Sequence, residues 1–236
     1  MKHLILGYGT MGKRYEQILK DLGDSVDTAD IGFDPATVAI KYDSVLICTF
    51  PETHVDWIYE VSDYMFTGAL FCEKPVLTKL EDKVITSTNN IKTMVSCPWR
   101  YCRCINPLYP PLRFRCNYVS RDKKPELDLI HFIDLDWENY GMPLNSSVKV
   151  FGPLLKYHST NFDVVIHSNS NKNFTIFNEE EVIHNPVCNM FISMMEDWRK
   201  VIKGELISPN PVEKAEFRTK WLLEALKNDF KTAPLL

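Results

Sequence analysis

Lys2-His3-Leu4-Ile5-Leu6-Gly7-Tyr8-Gly9-Thr10-Met11-Gly12 opens the chain and decides the reading of the fold. A short apolar run, Lys2 to Leu6, stops in a glycine, and the glycines follow the spacing G-x-G-x-x-G. Behind them Met11, Tyr15, Ile18, Leu19 and Leu22 recur at a helical period, which Gly23 ends. Strand, glycine turn and helix in this order form the first step of a βαβ unit. In such a unit the first glycine makes the tight turn and the second lets a pyrophosphate approach the backbone. The third lets helix pack on strand, with the helix N-terminus facing the phosphates. Gly7, Gly9 and Gly12, with Thr10 and Met11 between them, are therefore candidate cofactor-binding residues.

The next strand, Ser25 to Asp30, puts Asp30 eighteen positions after Gly12. An acidic side chain there accepts hydrogen bonds from the adenosine ribose and repels a 2′-phosphate, which favours NAD(H) over NADP(H). Asp27 and Asp34 compete for that role. Ser44 follows Asp30 by only fourteen positions, too few for a full helix and strand, so the adenine side is abbreviated.

Further along, the alternation continues. Val45 to Phe50 is an unbroken apolar run, as in a strand covered on both faces. A helix pattern from about Glu52 to Tyr64 precedes the strand Ala69 to Cys72. Thr78-Lys79-Leu80-Glu81 has capping-box spacing and predicts a helix before the strand Thr93 to Cys97. Strands alternating with helices imply a parallel, doubly wound sheet. After Pro98 the pattern changes. Pro107, Pro110 and Pro111 mark a boundary, and period-two strands follow at Leu112 to Val119, Val148 to Phe151, Phe162 to Ser168 and Phe174 to Phe177. A helix over about Glu126 to Tyr140 interrupts them. Two helices close the chain, one carrying Met190 to Ile202 and the last opening with Asn210 as cap and Pro211 at its first position. The expected architecture is α/β followed by α+β. A Rossmann dinucleotide-binding domain spans 1–98, and a reduced antiparallel-sheet domain for substrate and oligomerisation spans 99–236. The last helix is free to pack back on the first domain.

Composition narrows the function. Apolar residues at 45% and charged residues at 25% are those of a globular protein. A net charge of -4 with no long like-charge run leaves no electrostatic footprint for nucleic acid or an anionic membrane surface. No apolar run approaches the length of a membrane span, and the N-terminal stretch lacks a signal-peptide pattern. Seven cysteines at irregular spacing fit reduced thiols, hence a cytoplasmic protein. Cys97, Cys102 and Cys104 do not have zinc spacing, and no metal is expected.

Four segments together resemble one family. Val45-Leu46-Ile47-Cys48-Thr49-Phe50-Pro51-Glu52-Thr53-His54 resembles its strand followed by T-P-x-x-x-H. Phe71-Cys72-Glu73-Lys74-Pro75-Val76 resembles its C-E-K-P signature, and Met94 to Tyr101 its M-V-G-C-N-x-R-F segment. Asp128-Leu129-Ile130-His131-Phe132-Ile133-Asp134 resembles its D-L-I-H-x-x-D helix. By these the chain resembles the glucose–fructose oxidoreductase / inositol dehydrogenase / rhizopine-catabolism (Gfo/Idh/MocA) family of nicotinamide oxidoreductases, as an unusually short member. It departs from the pattern in four places, one being the segment before the D-L-I-H helix, where Arg121-Asp122-Lys123-Lys124-Pro125 replaces the usual glycine-rich stretch. Phe50 stands where proline is usual and Pro98 where asparagine is usual, and Asp128 precedes His131 by three positions where many relatives have four. Both spacings keep the two side chains on one helical face.

The resemblance implies Lys74 and His131 as catalytic residues, with Asp128 orienting or binding substrate hydroxyls. It also implies Thr49, Phe50, Pro51, His54, Glu73 and Lys74 around the cofactor. Independently, alcohol oxidation requires a base for the hydroxyl proton, and histidine is the natural one near neutral pH. A lysine just past a parallel strand lies where doubly wound sheets bind ligands, and beside a cationic nicotinamide it is disfavoured as a cation and can share the proton. Asp128, His131, Asp134 and Glu138 also fit an ordinary solvated stripe. Against that, Leu129, Ile130, Phe132, Ile133 and Trp137 make the helix apolar enough to be buried, where acids and a histidine need partners or a ligand. His54 either touches the cofactor or packs, and Arg100 is either a substrate contact or a structural clamp.

These readings converge on an NAD(P)-dependent oxidoreductase acting on a hydroxyl or keto group of a sugar, nucleotide sugar or polyol, assembled as a homodimer. The alternatives are a non-catalytic NAD-binding regulatory protein of the same family, a biliverdin-reductase-like enzyme, and redox-neutral glycoside hydrolysis. A tetrapyrrole reductase needs no alcohol base, which the D-L-I-H helix supplies. The presence of both Lys74 and His131 argues against the regulator.

Overall fold

A computed structural model describes residues 1–30, 42–63, 68–84, 91–101, 114–120, 129–133, 136, 146–151, 154–158, 162–168, 175–177, 182–184 and 190–232. Asp34, Asp128, Asp134, Trp137, Glu138, Phe174 and the prolines at 107, 110 and 111 lie outside them.

Five strands, β1 (Lys2–Leu6), β2 (Ser25–Ala29), β3 (Ser44–Ile47), β4 (Ala69–Cys72) and β5 (Lys92–Val95), form a wholly parallel sheet in the order β2-β1-β3-β4-β5. β3 and β4 are buried along their whole length, as an unbroken apolar run in a sheet covered on both faces requires. Helix α1 (Thr10–Asp21) follows β1, and α2 (His54–Asp63) follows β3 after a short 3₁₀ turn at Pro51–Thr53. The chain runs from β1 outward to β2 and then returns to β3 on β1's other side. The carboxyl ends of β1 and β3 therefore flank the point where the strand order reverses, the position at which such sheets bind ligands.

Two helices near the chain's end are α3 (Met190–Lys203) and α4 (Val212–Thr232). By contacts the chain divides into one unit of Met1–Cys97 with Phe191–Thr219, and a second of Pro98–Met190 with Lys220–Leu236. α3 thus packs with the first sheet. Trp198 is wholly buried with its ring centroid 5.7 Å from that of Phe71, and Phe191 approaches Tyr15 at 6.3 Å. The segment after α3 pairs with β5, the Val95 N–H donating to the Asn210 carbonyl at 2.8 Å.

The second unit holds a six-stranded sheet in the order β11-β10-β6-β9-β8-β7. Its strands are β6 (Phe114–Ser120), β7 (Ser147–Phe151), β8 (Leu154–His158), β9 (Phe162–Ser168), β10 (Thr175–Phe177) and β11 (Val182–His184). All neighbours are antiparallel except β6 and β9, which pair in parallel. Residues 129–133 and 136 are helical, and Leu129, Ile130, Phe132 and Ile133 are buried.

The structure differs from expectation in two respects. No helix begins at the capping-box sequence, because residues 78–84 form turns and irregular chain. The residues that follow, Ile85-Thr86-Ser87-Thr88-Asn89-Asn90, are poor helix formers, and a cap cannot nucleate a helix that its sequence will not propagate. β8 and β11 were not expected. The strand character of Leu154-Leu155-Lys156-Tyr157-His158 comes from pairing with β7 and β9. At the start of α4, the first helical N–H, that of Val212, donates to the Thr93 hydroxyl at 3.1 Å, so the donor's partner comes from β5. The Asn210 side chain donates to the Val95 carbonyl and accepts from Arg218, both at 3.1 Å.

Candidate functional site

The register of the parallel sheet sets Leu6 beside Ile47, Ile47 beside Cys72, and Cys72 beside Val95. Gly7, Cys48-Thr49, Glu73-Lys74 and Ser96 therefore emerge side by side at the carboxyl edge. Most of the expected cofactor residues share this edge.

Each glycine of the turn meets a different constraint. Gly7 has φ +90°, and a Cβ on it would lie 2.7 Å from the backbone of Cys48 and Thr49. Gly12, in the first turn of α1, leaves no room for a Cβ against the Gly7 carbonyl. Gly9 differs: it is exposed, has φ −79°, and a Cβ there would have no atom within 4 Å. It precedes α1, whose N-terminus has no side-chain cap and no acidic residue in its first turn. Uncapped backbone N–H groups, a positive helix end and open space above Gly9 suit an anion approaching the main chain.

Around this cradle, Thr49 and Pro51 are partly exposed and Phe50 is 79% exposed. Asp30 is exposed just past the end of β2. Its rival Asp27 is engaged from the other end of the sheet edge, accepting from the Tyr42 hydroxyl at 2.9 Å and pairing with the Lys2 ammonium at 3.1 Å. Lys74 is partly exposed beside a cis Lys74-Pro75 peptide bond.

His54 and Glu73 are buried beneath this edge. The His54 ring, 0% exposed, sits between two carbonyl oxygens, Nδ1 at 2.7 Å from that of Pro75 and Nε2 at 3.1 Å from that of Thr49. Burial lowers its pKa, and the two carbonyl contacts offset this in part. The Glu73 carboxylate accepts from the Tyr15 hydroxyl on one oxygen and from the Lys74 N–H at 3.2 Å on the other. The Tyr15 hydroxyl also lies 3.2 Å from that of Ser96. Burial raises the Tyr15 phenol and the Cys48 and Cys72 thiols well above their ordinary values, and the Glu73 charge adds to it. The two thiols are therefore inert at neutral pH. The Tyr15 and Ser96 partnership was not anticipated. Its sequence signal was a tyrosine on an otherwise apolar helix stripe, whose buried hydroxyl must find a partner.

His131 and Arg100 belong to the second unit. His131 is 8% exposed, its ring 6.2 Å from that of Trp99, which also meets Phe132 at 5.5 Å. Arg100 is buried in a 3₁₀ turn, Pro98–Tyr101. Asp136, on the same helix as His131, accepts a hydrogen bond from the Tyr157 hydroxyl of β8. Among the described residues no cluster of three or more histidine, cysteine or acidic side chains is arranged to hold a metal. No helix there is long and apolar enough to cross a membrane.

No family model matches the sequence, and no curated protein does. Solved structures do match. UDP-N-acetylglucosamine 3-dehydrogenase GnnA from Acidithiobacillus ferrooxidans aligns over 95% of this chain and 96% of its own, with a TM-score of 0.77 at 12% identity. The WlbA (WbpB) dehydrogenase from Thermus thermophilus, in complex with NAD and UDP-GlcNAcA, aligns over 100% and 96%, with a TM-score of 0.73 at 14% identity. The dehydrogenase MviM from Clostridium difficile aligns over 97% and 99%, with a TM-score of 0.73 at 15% identity. The chain thus has the two-part fold of these dehydrogenases, the fold that its resemblance to the Gfo/Idh/MocA family implies.

Proposed function

We propose that this chain is an NAD-dependent oxidoreductase that moves a hydride between the nicotinamide and a hydroxyl-bearing carbon of a sugar, nucleotide sugar or other polyol. The observation that carries the reading is the glycine cradle. Gly7 and Gly12 are glycines because the protein leaves no room for more, whereas Gly9 faces open space at an uncapped helix end. Among the described residues nothing demands glycine at position 9, which supports a ligand as the reason for it.

In this reading Gly7 to Gly12 hold the pyrophosphate and Asp30 the adenosine ribose, with Thr49, Phe50 and Pro51 beside the nicotinamide. When bound, the nicotinamide supplies the hydride acceptor or donor. Lys74 and His131 share the hydroxyl proton, and Asp128 and Arg100 bind substrate hydroxyls. The domain carrying the cofactor runs through residue 98 and that carrying the substrate from 99, with Phe191–Thr219 packed back on the first. Nucleotide sugars head the substrate classes to be screened, since two of the structurally similar dehydrogenases are described with UDP-linked sugars. The second sheet serves a homodimer.

The test is NADH binding to the protein and to Gly9→Val, followed by quenching of tryptophan fluorescence. A Cβ at position 9 meets no atom within 4 Å, so the variant is expected to keep its fold, which a thermal melt checks. Binding should fall at least tenfold while the melting temperature stays within a few degrees. Equal binding by both proteins would overturn the cofactor reading.

A further inference from the structure

Lys74 is flanked on both sides by peptide units that buried side chains hold in place. On its N-terminal side, Glu73 is 7% exposed, yet its carboxylate points inward to the Tyr15 hydroxyl on α1. The second oxygen of that carboxylate takes the backbone N–H of Lys74 itself, at 3.2 Å. On the C-terminal side, the carbonyl of Pro75 lies 2.7 Å from His54 Nδ1. The same ring reaches the Thr49 carbonyl, at the end of β3, through Nε2. A neutral imidazole carries one N–H, so the ring donates to one of these two carbonyls. The Cys72 thiol donating to the Glu73 carbonyl at 3.2 Å completes the set.

These bonds have a cost that packing alone does not explain. A carboxylate and an imidazole buried under a sheet edge are retained only against desolvation, and apolar residues of the same size fill such space more cheaply. What they provide is a fixed main chain. Lysine is a long, rotamer-rich side chain, and a short misplacement of a reacting group lowers rate steeply. Fixing the backbone at its root removes part of that freedom. Tyr15 stands on the helix whose N-terminus forms the glycine cradle, and His54 opens the helix that follows Thr49 to Pro51. One brace therefore references Lys74 to both.

We propose that Tyr15, Glu73 and His54 are positioning residues for Lys74, setting its backbone against the glycine cradle and the Thr49 to Pro51 turn. The proposal rests on the reading of Lys74 as a residue that meets the cofactor and its substrate.

The experiment is lysine-selective NMR on the wild type, Tyr15→Phe and His54→Gln, with the Lys74 side-chain signal assigned by its loss in Lys74→Arg. Tyr15→Phe removes one oxygen, and glutamine keeps a donor within reach of one of the two carbonyls. Circular dichroism and thermal melts establish that each variant is folded. Without cofactor, the Lys74 signal should move toward its unfolded position and sharpen in both variants, while other lysine signals stay. With NADH, the wild-type Lys74 signal should shift on binding. The shift, read at saturating NADH, should be at least halved in the variants. A general structural role would instead move many lysine signals together or none. Folded variants whose Lys74 signal matches wild type, free and bound, would overturn the brace. A wild type that does not respond to NADH would count against the dehydrogenase reading. The brace would then stand or fall on the cofactor-free spectra.

Discussion

Gly12 and Gly9 occupy the same motif, yet substitution should separate them. Alanine at Gly12 gains about 1 kcal/mol of helix propensity. Against this, its methyl is driven into the Gly7 carbonyl, a backbone atom that cannot rotate away, and overpacking of this kind costs about 1–3 kcal/mol. Gly12→Ala should be destabilised by up to about 2 kcal/mol in urea, while Gly9→Ala should lose no stability. Equal stabilities would contradict the geometry of the turn. Asp30 sets the second expectation at this scale: Asp30→Ala should narrow the preference for NADH over NADPH at least tenfold, measured as a ratio of dissociation constants at one ionic strength. An unchanged ratio would remove Asp30 from the ribose site. The glycines were legible because each answers to a local steric rule. His54 was less so, since spacing places a histidine on a helix but not between two carbonyl oxygens from the segments that follow β3 and β4. Tyr15 read as a core position, and its hydroxyl's partners lie at residues 73 and 96, beyond the range of any local pattern.

At the scale of elements, β5 and α4 are bound to each other through side chains. Thr93 is 6% exposed and its hydroxyl takes the first N–H of α4, so Thr93→Val leaves that donor without it at nearly constant volume. The cost should be about 1–2 kcal/mol in urea denaturation, and no cost would mean that the cap is dispensable. The parallel strands and their helices were legible because buried strands in a doubly wound sheet are unbroken apolar runs between glycine and proline stops. The helix foreseen after Thr78 failed because a capping signature was weighed without the β-branched and Asn-rich stretch behind it. β8 and β11 were missed because edge and hairpin strands draw their structure from pairing more than from composition. In the second sheet the parallel pairing of β6 with β9 follows from the order of strands and leaves no mark in period-two alternation.

Across the whole molecule, acid is the expected weakness. The Asp24 carboxylate receives the N-terminal ammonium at 2.9 Å, His3 Nε2 at 3.1 Å and the Arg199 guanidinium at 3.0 Å, while His3 Nδ1 lies 2.6 Å from the Ser44 hydroxyl. Burial raises the Asp24 pKa, but the hydrogen bonds and charges of these partners outweigh it, leaving the carboxyl below its ordinary value of 3.8. Burial lowers both His3 and His54 below 6.5, with Asp24 opposing this at His3. A histidine whose folded pKa is lowered binds its proton more readily when unfolded. Its contribution is therefore complete above 6.5 and lost as pH falls toward the folded value. Asp24 adds a second loss, as pH falls through its own lowered pKa. Unfolding free energy should decline below about pH 6.5, with a slope approaching 1.4 kcal/mol per pH unit for each proton taken up. A profile flat from about pH 7 to pH 5 would contradict the burial of these rings.

The first sheet was legible in order and kind, because Gly7, Thr49, Lys74 and Ser96, far apart in sequence, follow neighbouring strands at the carboxyl edge of one sheet. Whether that edge performs hydride transfer is decided by turnover. NADH formation, followed by absorbance, should be measured for wild type and Lys74→Ala with NAD and a panel of nucleotide sugars, free sugars and polyols. The wild type should reduce NAD with at least one member. Lys74→Ala should bind NADH within a few-fold of wild type yet turn over roughly 10²–10⁴-fold more slowly, the range that acid–base assistance typically contributes. A wild type that binds NADH but reduces NAD with no member, or a Lys74→Ala variant as fast as wild type, would contradict the oxidoreductase assignment and leave an NAD-binding regulator as the better account.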